Sequence, residues 1–207
     1  MPKLVDYSDR FEALREAVYV VTLRDGVEGI NLAAVATEVY MSARTVQRLL
    51  GSAKALPLLG LQWAERKARR RAFDLHRQER TGGTPQSDLD AILETLPGHP
   101  EREDRTVWWR IVTAFEGSRD WARTARADQL TGLAHGCETI MATLDAEDRP
   151  FEARRLELLL TGAGHQISSG RLSYEEAESV VARHVRAVGG SVAASSHTCH
   201  GGATSAA

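Results

Sequence analysis

Residues 35–56, "VATEVYMSARTVQRLLGSAKAL", predict two short helices separated by only Tyr40-Met41-Ser42. Asn31 precedes the first helix and Ser42 precedes the second, and both residue types accept hydrogen bonds from the first backbone N–H groups of a helix. Apolar residues recur at three- and four-residue spacing in each segment. Two short helices joined this closely have the geometry of a helix-turn-helix, whose second helix can enter a major groove.

Tyr40 occupies a position in this turn that usually carries glycine. A non-glycine residue in the left-handed conformation costs roughly 1–2 kcal/mol. The sequence therefore leaves two possibilities: either Tyr40 bears this strain, or the turn has another geometry. Neither possibility removes the helix-turn-helix.

The second helix should bury Val46, Leu49 and Leu50, which leaves an outward face. The outward positions are Ala43, Arg44, Gln47 and Arg48. Arg can bind guanine O6 and N7, and Gln can bind adenine N6 and N7, so Arg44 and Gln47 are the predicted base-reading residues. Arg48 is the predicted phosphate ligand, and the secondary phosphate candidates are Asn31, Ser42, Thr45 and Lys54. The alternative is an ordinary solvated helix face, which is also the favoured interpretation of the basic run at residues 66–71.

The rest of the chain also has helical periodicity, and sustained strand-like alternation is nearly absent. We expect an all-α protein of about nine helices. Residues 1–55 would form a three-helix head, and residues 56–188 a larger helical domain. Its last helix would begin with a capping box formed by Ser173 and Glu176. Residues 189–207 lack periodicity and are rich in Gly, Ser and Ala, so they are predicted to form a flexible tail.

Composition excludes several classes of protein. The 207 residues are 43% hydrophobic and 26% charged, which suits one large or two small globular domains rather than a disordered chain. The net charge of −2 conceals an asymmetry, because residues 1–80 hold 14 Lys and Arg against 10 Asp and Glu. Neither a signal peptide nor a bilayer-length apolar run is present, so a cytoplasmic location is predicted.

Catalytic, metal and cofactor sites have little support in the sequence. Cys137 and Cys199 form no C-x-x-C pair, which argues against a disulfide framework or a zinc module. His197, Cys199 and His200 fall in the predicted tail, where nothing organises a metal site. The segment "TGAGHQISSG" at residues 161–170 has neither a nucleophile elbow nor a phosphate-binding glycine pattern. We expect a protein that is not an enzyme and has no cofactor.

The chain from about Phe11 to Leu56 resembles the DNA-binding domain of the TetR/AcrR family of transcriptional regulators. The first helix ends at Gly26, and three pairs match the family's "I-A", "V-S" and "T-L" motifs: Val35-Ala36, Met41-Ser42 and Thr45-Val46. The remaining layout is also similar, with a long connecting helix and the terminal segment "LLLTGAGHQISSGRLSYEEAESVVARHVRAV" at residues 158–188.

Four positions depart from the family pattern. The family usually has glycine at Tyr40, tyrosine at Gln47, phenylalanine at Leu50 and lysine at Ala53, with Lys54 displaced by one here. The usual tyrosine and lysine contact phosphates. These departures keep a second interpretation open, in which the chain is a ligand-sensing or protein-interaction module that has lost ordinary operator binding.

The resemblance implies a homodimer, paired through its last two helices, that binds a palindromic operator in double-stranded DNA. It also implies a repressor that releases DNA when a small molecule binds among the middle helices. The effector-binding candidates there are Trp108, Trp109, Phe115, Trp121, His135, Cys137 and Met141. Each also has an ordinary interpretation as a core residue.

Overall fold

A computed structural model describes residues 7–78 and 85–198. Over these ranges the chain forms nine α-helices and no strand, which confirms the predicted all-α class. The helices are α1 (Tyr7–Asp25), α2 (Leu32–Glu38), α3 (Ala43–Leu50), α4 (Leu56–Gln78), α5 (Pro85–Leu93), α6 (Glu103–Phe115), α7 (Asp120–Thr143), α8 (Arg149–Ser168) and α9 (Tyr174–Thr198). A single 3₁₀ turn, Ala53–Ala55, separates α3 from α4.

The chain divides into two compact units. The first comprises residues 1–80 and 97–126, and so contains α1 to α4, α6 and the start of α7. The second comprises residues 81–96 and 127–207, with α5, the rest of α7, α8 and α9. The expected boundary at residue 55, between a DNA-binding head and a larger helical domain, stays a prediction. The two compact units do not test it, because compactness does not show which residues bind DNA.

In the first unit, α1, α4 and α6 pack against one another. They meet closely at Gly60, where an added Cβ would lie 2.8 Å from Val18 Cγ1 and 3.0 Å from Ile111 Cδ1. The α1 residues Leu14, Val18 and Val21 also form the floor beneath α2 and α3. The helix-turn-helix is therefore built on α1, which is itself held by α4 and α6.

The second unit has its own apolar core, to which α5, α7, α8 and α9 all contribute. Its fully buried members include Cys137, Ile140, Met141, Leu156, Leu160 and Val181. The predicted capping box at the start of α9 is present: the Ser173 N–H donates to Glu176 Oε2 at 2.8 Å, and the Glu176 N–H donates to Ser173 Oγ at 3.2 Å.

Helix α9 extends past its predicted end at Val188 and reaches Thr198. The residues that follow Val188 are mostly Ala, Ser, Val and Gly, and a helix that is already formed adds such residues at little cost compared with starting a new one. The predicted tail from residue 199 onward, including Cys199 and His200, lies outside the described residues. None of the helices described is long and apolar enough to cross a membrane.

Candidate nucleic-acid interface

The turn between α2 and α3 closes with a Schellman motif. The Met41 N–H donates to the Ala36 carbonyl at 2.9 Å, and the Tyr40 N–H donates to the Thr37 carbonyl at 3.2 Å. This pattern places the residue just past the helix end in the left-handed region, and Tyr40 accordingly has φ +54°. The sequence left open whether Tyr40 bears the left-handed strain or the turn has another geometry. The structure shows the first: Tyr40 bears the strain.

Replacing Tyr40 with glycine should stabilise the protein. Glycine removes the left-handed strain but gains freedom in the unfolded chain, so the net gain should be about 0.5–1 kcal/mol. The Tyr40 side chain is 98% exposed, and few packing contacts are lost. Thermal denaturation of Tyr40→Gly measures the gain.

Asp145 provides the matched control, because it ends α7 with φ +55° and the same pair of hydrogen bonds. Asp tolerates the left-handed region better than Tyr, and it also pairs with Arg149 at 2.5 Å. Asp145→Gly should therefore gain less. If Tyr40→Gly were less stable than the wild-type chain, the contacts of the tyrosine side chain would contribute more to stability than the backbone strain costs.

Both predicted helix caps are formed. Asn31 Oδ1 accepts from the Ala34 N–H at 2.9 Å, and Asn31 Nδ2 donates to the Gly29 carbonyl at 3.0 Å. Ser42 Oγ accepts from the Thr45 N–H at 3.1 Å and lies 2.8 Å from Thr45 Oγ1. These bonds fix the starts of α2 and α3, so the position and orientation of α3 are defined locally.

Helix α3 has one buried side and one open side. Val46 is fully buried, while Leu49 and Leu50 are half-buried and pack against the same cluster. The open side carries the four predicted outward residues, Ala43, Arg44, Gln47 and Arg48, all of which are exposed. Such a surface, with two guanidinium groups one turn apart and a primary amide between them, can hydrogen-bond to base edges and phosphates.

The remaining DNA-binding candidates flank this surface. Asn31, Ser42 and Lys54 are exposed, Thr45 is half-buried, and Lys54 lies in the 3₁₀ turn after α3. Arg44, Arg48 and Lys54 form no ion pair with any residue whose side chain is described. Their charges are therefore available to an external anion, and DNA contact by these residues remains a prediction.

The seven effector-binding candidates are divided between the two units. Four of them, Trp108, Trp109, Phe115 and Trp121, lie in the first unit, in or against an apolar cluster to which α1, α4, α6 and α7 contribute and which we call the aromatic cluster. Cys137 and Met141 are fully buried in the core of the second unit, whereas His135 is exposed on α7. Burial raises the pKa of the Cys137 thiol to about 12, an effect that the charges of Glu157 and Glu138 reinforce. This thiol is neutral at physiological pH and behaves as a small apolar residue.

The aromatic cluster of the first unit contains a buried cation that sequence reasoning missed. The Arg126 guanidinium lies 4.4 Å from the centroid of the Trp109 ring, a cation–π geometry. Desolvation lowers the pKa of Arg126, and the charge of Glu116 opposes this effect. Trp108 and Trp109 meet edge to face with their centroids 5.9 Å apart. No sequence signal marks Arg126, because arginine on a helix is ordinarily exposed.

Comparisons with known proteins identify the fold. No protein-family model matches the chain. A curated relative, the HTH-type transcriptional regulator PksA of Bacillus subtilis, is 24% identical over 197 residues, which cover 91% of this chain and 94% of PksA. A solved transcriptional regulator from Saccharomonospora viridis, in complex with choline, matches with TM-score 0.68 and 18% identity over 86% of this chain and 96% of its own. A TetR-family regulator from Rhodococcus matches with TM-score 0.63 and 16% identity over 87% of this chain and 99% of its own.

This chain has the fold of TetR-family transcriptional regulators. The resemblance predicted from the motifs of the head is confirmed at the level of the fold. These matches cover nearly the whole length of both solved chains, so the similarity includes more than a helix-turn-helix.

Within this TetR fold, Arg110 is a further residue that sequence reasoning did not single out. From α6 it donates two hydrogen bonds, to the Thr22 and Leu23 carbonyls at the end of α1, both at 2.9 Å. The last carbonyls of a helix lack partners within that helix. Arg110 supplies a donor to them and thereby ties α6 to the segment that leads into Asn31. The only hint in the sequence is a charged residue inside the apolar run "WWRIV".

Substitution of Arg110 by methionine should loosen the end of α1. Loss of two hydrogen bonds from a charged donor should cost about 1–3 kcal/mol. The variant should increase the rate of hydrogen exchange of the amides at residues 22–31, and this increase should be larger than the increase in α8. Arg24→Met is the control, because Arg24 is exposed and its described ion pairs are with Asp25 and Glu38; solvent weakens such exposed pairs, so its loss should cost clearly less than the loss of Arg110. Equal costs for the two variants would contradict a role for the Arg110 bonds.

Proposed function

We propose that this chain is a DNA-binding transcriptional regulator that acts as a homodimer on a palindromic operator. The observation that carries this proposal is the open surface of α3. Its basic and amide side chains are exposed on a helix that is capped at its start and packed on α1 behind. The resemblance to TetR-family regulators supports the use of this surface to contact DNA.

The residues of this surface have distinct proposed roles. Arg44 and Gln47 read bases in the major groove, since their side chains can make paired hydrogen bonds with guanine and adenine. Arg48 binds phosphate, and Asn31, Ser42, Thr45 and Lys54 supply further phosphate contacts from the starts of α2 and α3 and from the turn after α3. Ala43 is small enough to let α3 approach the base edges closely.

Exposed apolar residues of the second unit support the dimer. Phe151 and Leu158 on α8 are both 57% exposed and lie two turns apart, and Val180 on α9 is 43% exposed. Large apolar side chains exposed on two neighbouring helices favour burial against a second copy. A two-fold dimer through α8 and α9 presents two copies of α3 to successive major grooves.

The oligomeric state in solution tests this part of the proposal. Light scattering coupled to gel filtration should give the mass of a dimer for the wild-type chain. Leu158→Glu should shift the mass toward a monomer, because it places a charge on the proposed apolar interface. Ala142→Glu, on the exposed side of α7, should remain dimeric. A wild-type monomer at micromolar concentration would contradict the dimer.

A small-molecule effector completes the proposal. It binds among the middle helices and favours a dimer geometry in which the two α3 helices no longer match adjacent grooves. The candidate contacts are those named above, and four of them, Trp108, Trp109, Phe115 and Trp121, belong to or pack against one apolar cluster of the first unit. The regulator acts as a repressor in this scheme.

Binding to fragments of genomic DNA over a salt series tests the central claim. We expect sequence-selective binding that weakens as salt rises, because arginine and lysine contacts to phosphate release counterions. Absence of selective binding at low salt would overturn the proposal. That result would favour the module without operator binding, since exposed Gln47 and Ala53 replace the family's tyrosine and lysine.

A further inference from the structure

The first unit contains an open groove of about 360 Å³ between α1 and the end of α2. One face of α1 forms one wall, through Ala13, Glu16, Ala17 and Val20. Glu38, Val39 and Tyr40 form the other wall. The volume lies within the range of sites that bind small molecules, about 300–1,000 Å³.

The groove combines an apolar floor with negative charge. Ala17 is buried, and Ala13, Val20 and Val39 are half-buried, so they provide the floor. Two carboxylates, Glu16 and Glu38, border it, and its seven lining residues include no Lys, Arg or His.

The two carboxylates differ in their existing partners. Glu38 accepts a hydrogen bond from Arg24 Nη1 at 3.1 Å, so its charge is partly balanced. Glu16 is exposed and makes no ion pair with any residue whose side chain is described. Among the residues whose side chains the structure describes, Glu16 thus has no cationic partner, so the groove presents a carboxylate that a ligand can approach.

Tyr40 is one of the residues that line the groove, and it carries an aromatic ring. Its side chain packs against little of the protein, being 98% exposed, although its backbone bears left-handed strain. An aromatic face attracts a cation that lies within about 6 Å of its centroid. The ring and the two carboxylates thus favour the same sign of charge in a ligand.

We propose that this groove binds a small organic monocation, a primary or quaternary ammonium that carries a compact apolar group. The apolar group contacts the alanine and valine floor, Glu16 and Glu38 attract the ammonium, and Tyr40 covers it. Anions are excluded by the two carboxylates. The site is separate from the predicted effector-binding residues, and it does not depend on DNA binding.

Occupancy of the groove links α1 to the turn that precedes α3. Tyr40 lies two residues before Ser42, which caps α3. A ligand that contacts both walls binds the folded head and not the unfolded chain, so it raises the stability of the folded state. The consequence is a cation-dependent rise in melting temperature.

Chemical-shift mapping on the uniformly ¹⁵N-labelled full chain tests the proposal. The probe is benzyltrimethylammonium chloride at constant ionic strength, with benzyl alcohol as the neutral comparator and sodium benzoate as the anion. We expect saturable shifts of the amides of Glu16, Val20, Val39 and Tyr40 with the cation alone. The melting temperature should rise over the same concentration range.

Variants then separate the groove from the general field of the protein. Glu16→Gln should raise the Kd of the probe by about two- to fivefold, the effect of one exposed charge pair, and Glu16→Lys should abolish saturable binding. Glu28→Gln removes the same charge from an exposed site of the first unit that does not line the groove, and should leave the Kd unchanged. The proposal is overturned if the alcohol binds as well as the cation, if Glu28→Gln weakens binding as much as Glu16→Gln, or if no saturable shifts occur.

Discussion

Arg44→Ala should lower the affinity for the selected operator by at least tenfold and relax the preference at one base pair in each half-site. A bidentate contact between arginine and guanine discriminates by about 1–3 kcal/mol, and a dimer loses two such contacts. Arg44 is exposed near the start of α3, and Ser42 fixes that start. Fluorescence anisotropy with operators mutated at each position measures both the affinity and the base preference.

Gln47→Ala should relax preference at a different base pair, because Gln47 lies one turn along the same exposed face. Arg48→Ala should instead weaken binding to every sequence alike and reduce the dependence on salt, as expected for a phosphate contact. The three variants together distinguish base reading from electrostatic attraction.

The matched control is Arg123→Ala, which removes an exposed arginine from α7 in the first unit, outside the helices of the proposed dimer interface, and breaks a pair with Asp120. Its operator affinity should equal that of the wild type. If Arg44→Ala and Arg123→Ala bind operator equally well, α3 does not read DNA through Arg44. Retention of full selectivity in the Arg44→Ala, Gln47→Ala double variant would exclude α3 as the reading helix.

The local features of the head could be predicted from the sequence, because they depend on residues close together along the chain. The caps formed by Asn31 and Ser42, and the capping box at Ser173, follow from side chains that reach backbone groups three residues away. The exposed side of α3 follows from the spacing of Val46, Leu49 and Leu50. Such features form in the same way wherever the helix finally packs.

Features that depend on contacts distant in sequence could not be predicted. The two bonds from Arg110 span more than 80 residues, and the stacking of Arg126 on Trp109 joins two helices. Periodicity indicates which side of a helix is buried but not which helix covers it. The effector candidates illustrate this limit, because α7 carries Trp121 in the first unit and Cys137 in the second.

The strain at Tyr40 lies between these cases. The turn spacing required a chain reversal, yet both a strained tyrosine and a different turn were compatible with the sequence. The two Schellman hydrogen bonds decide the matter, because they hold the backbone at φ +54° whatever the side chain. The energy of the hydrogen bonds and of the packed helices offsets the strain.

Trp109→Ala should destabilise the chain by about 3–5 kcal/mol, the range for truncation of a buried aromatic residue. Trp109 is 1% exposed and is among the largest side chains that are fully buried. Its removal deletes the edge-to-face contact with Trp108 and the ring that lies against Arg126, so a buried charge loses part of its compensation. Urea denaturation followed by circular dichroism measures the loss.

Phe115→Ala is the control that separates core packing from a ligand pocket. Phe115 belongs to the same aromatic cluster but is half-buried, so its truncation should cost less than that of Trp109. If Trp109→Ala lowers the free energy of unfolding by much more than Phe115→Ala does, Trp109 belongs to the core. Phe115 and Trp121, whose ring centroids lie 5.7 Å apart, are then the more accessible effector contacts. A loss below about 1 kcal/mol for Trp109→Ala would mean that the space around its ring is readily rearranged. The cluster would then be soft enough to admit an effector at Trp109 itself.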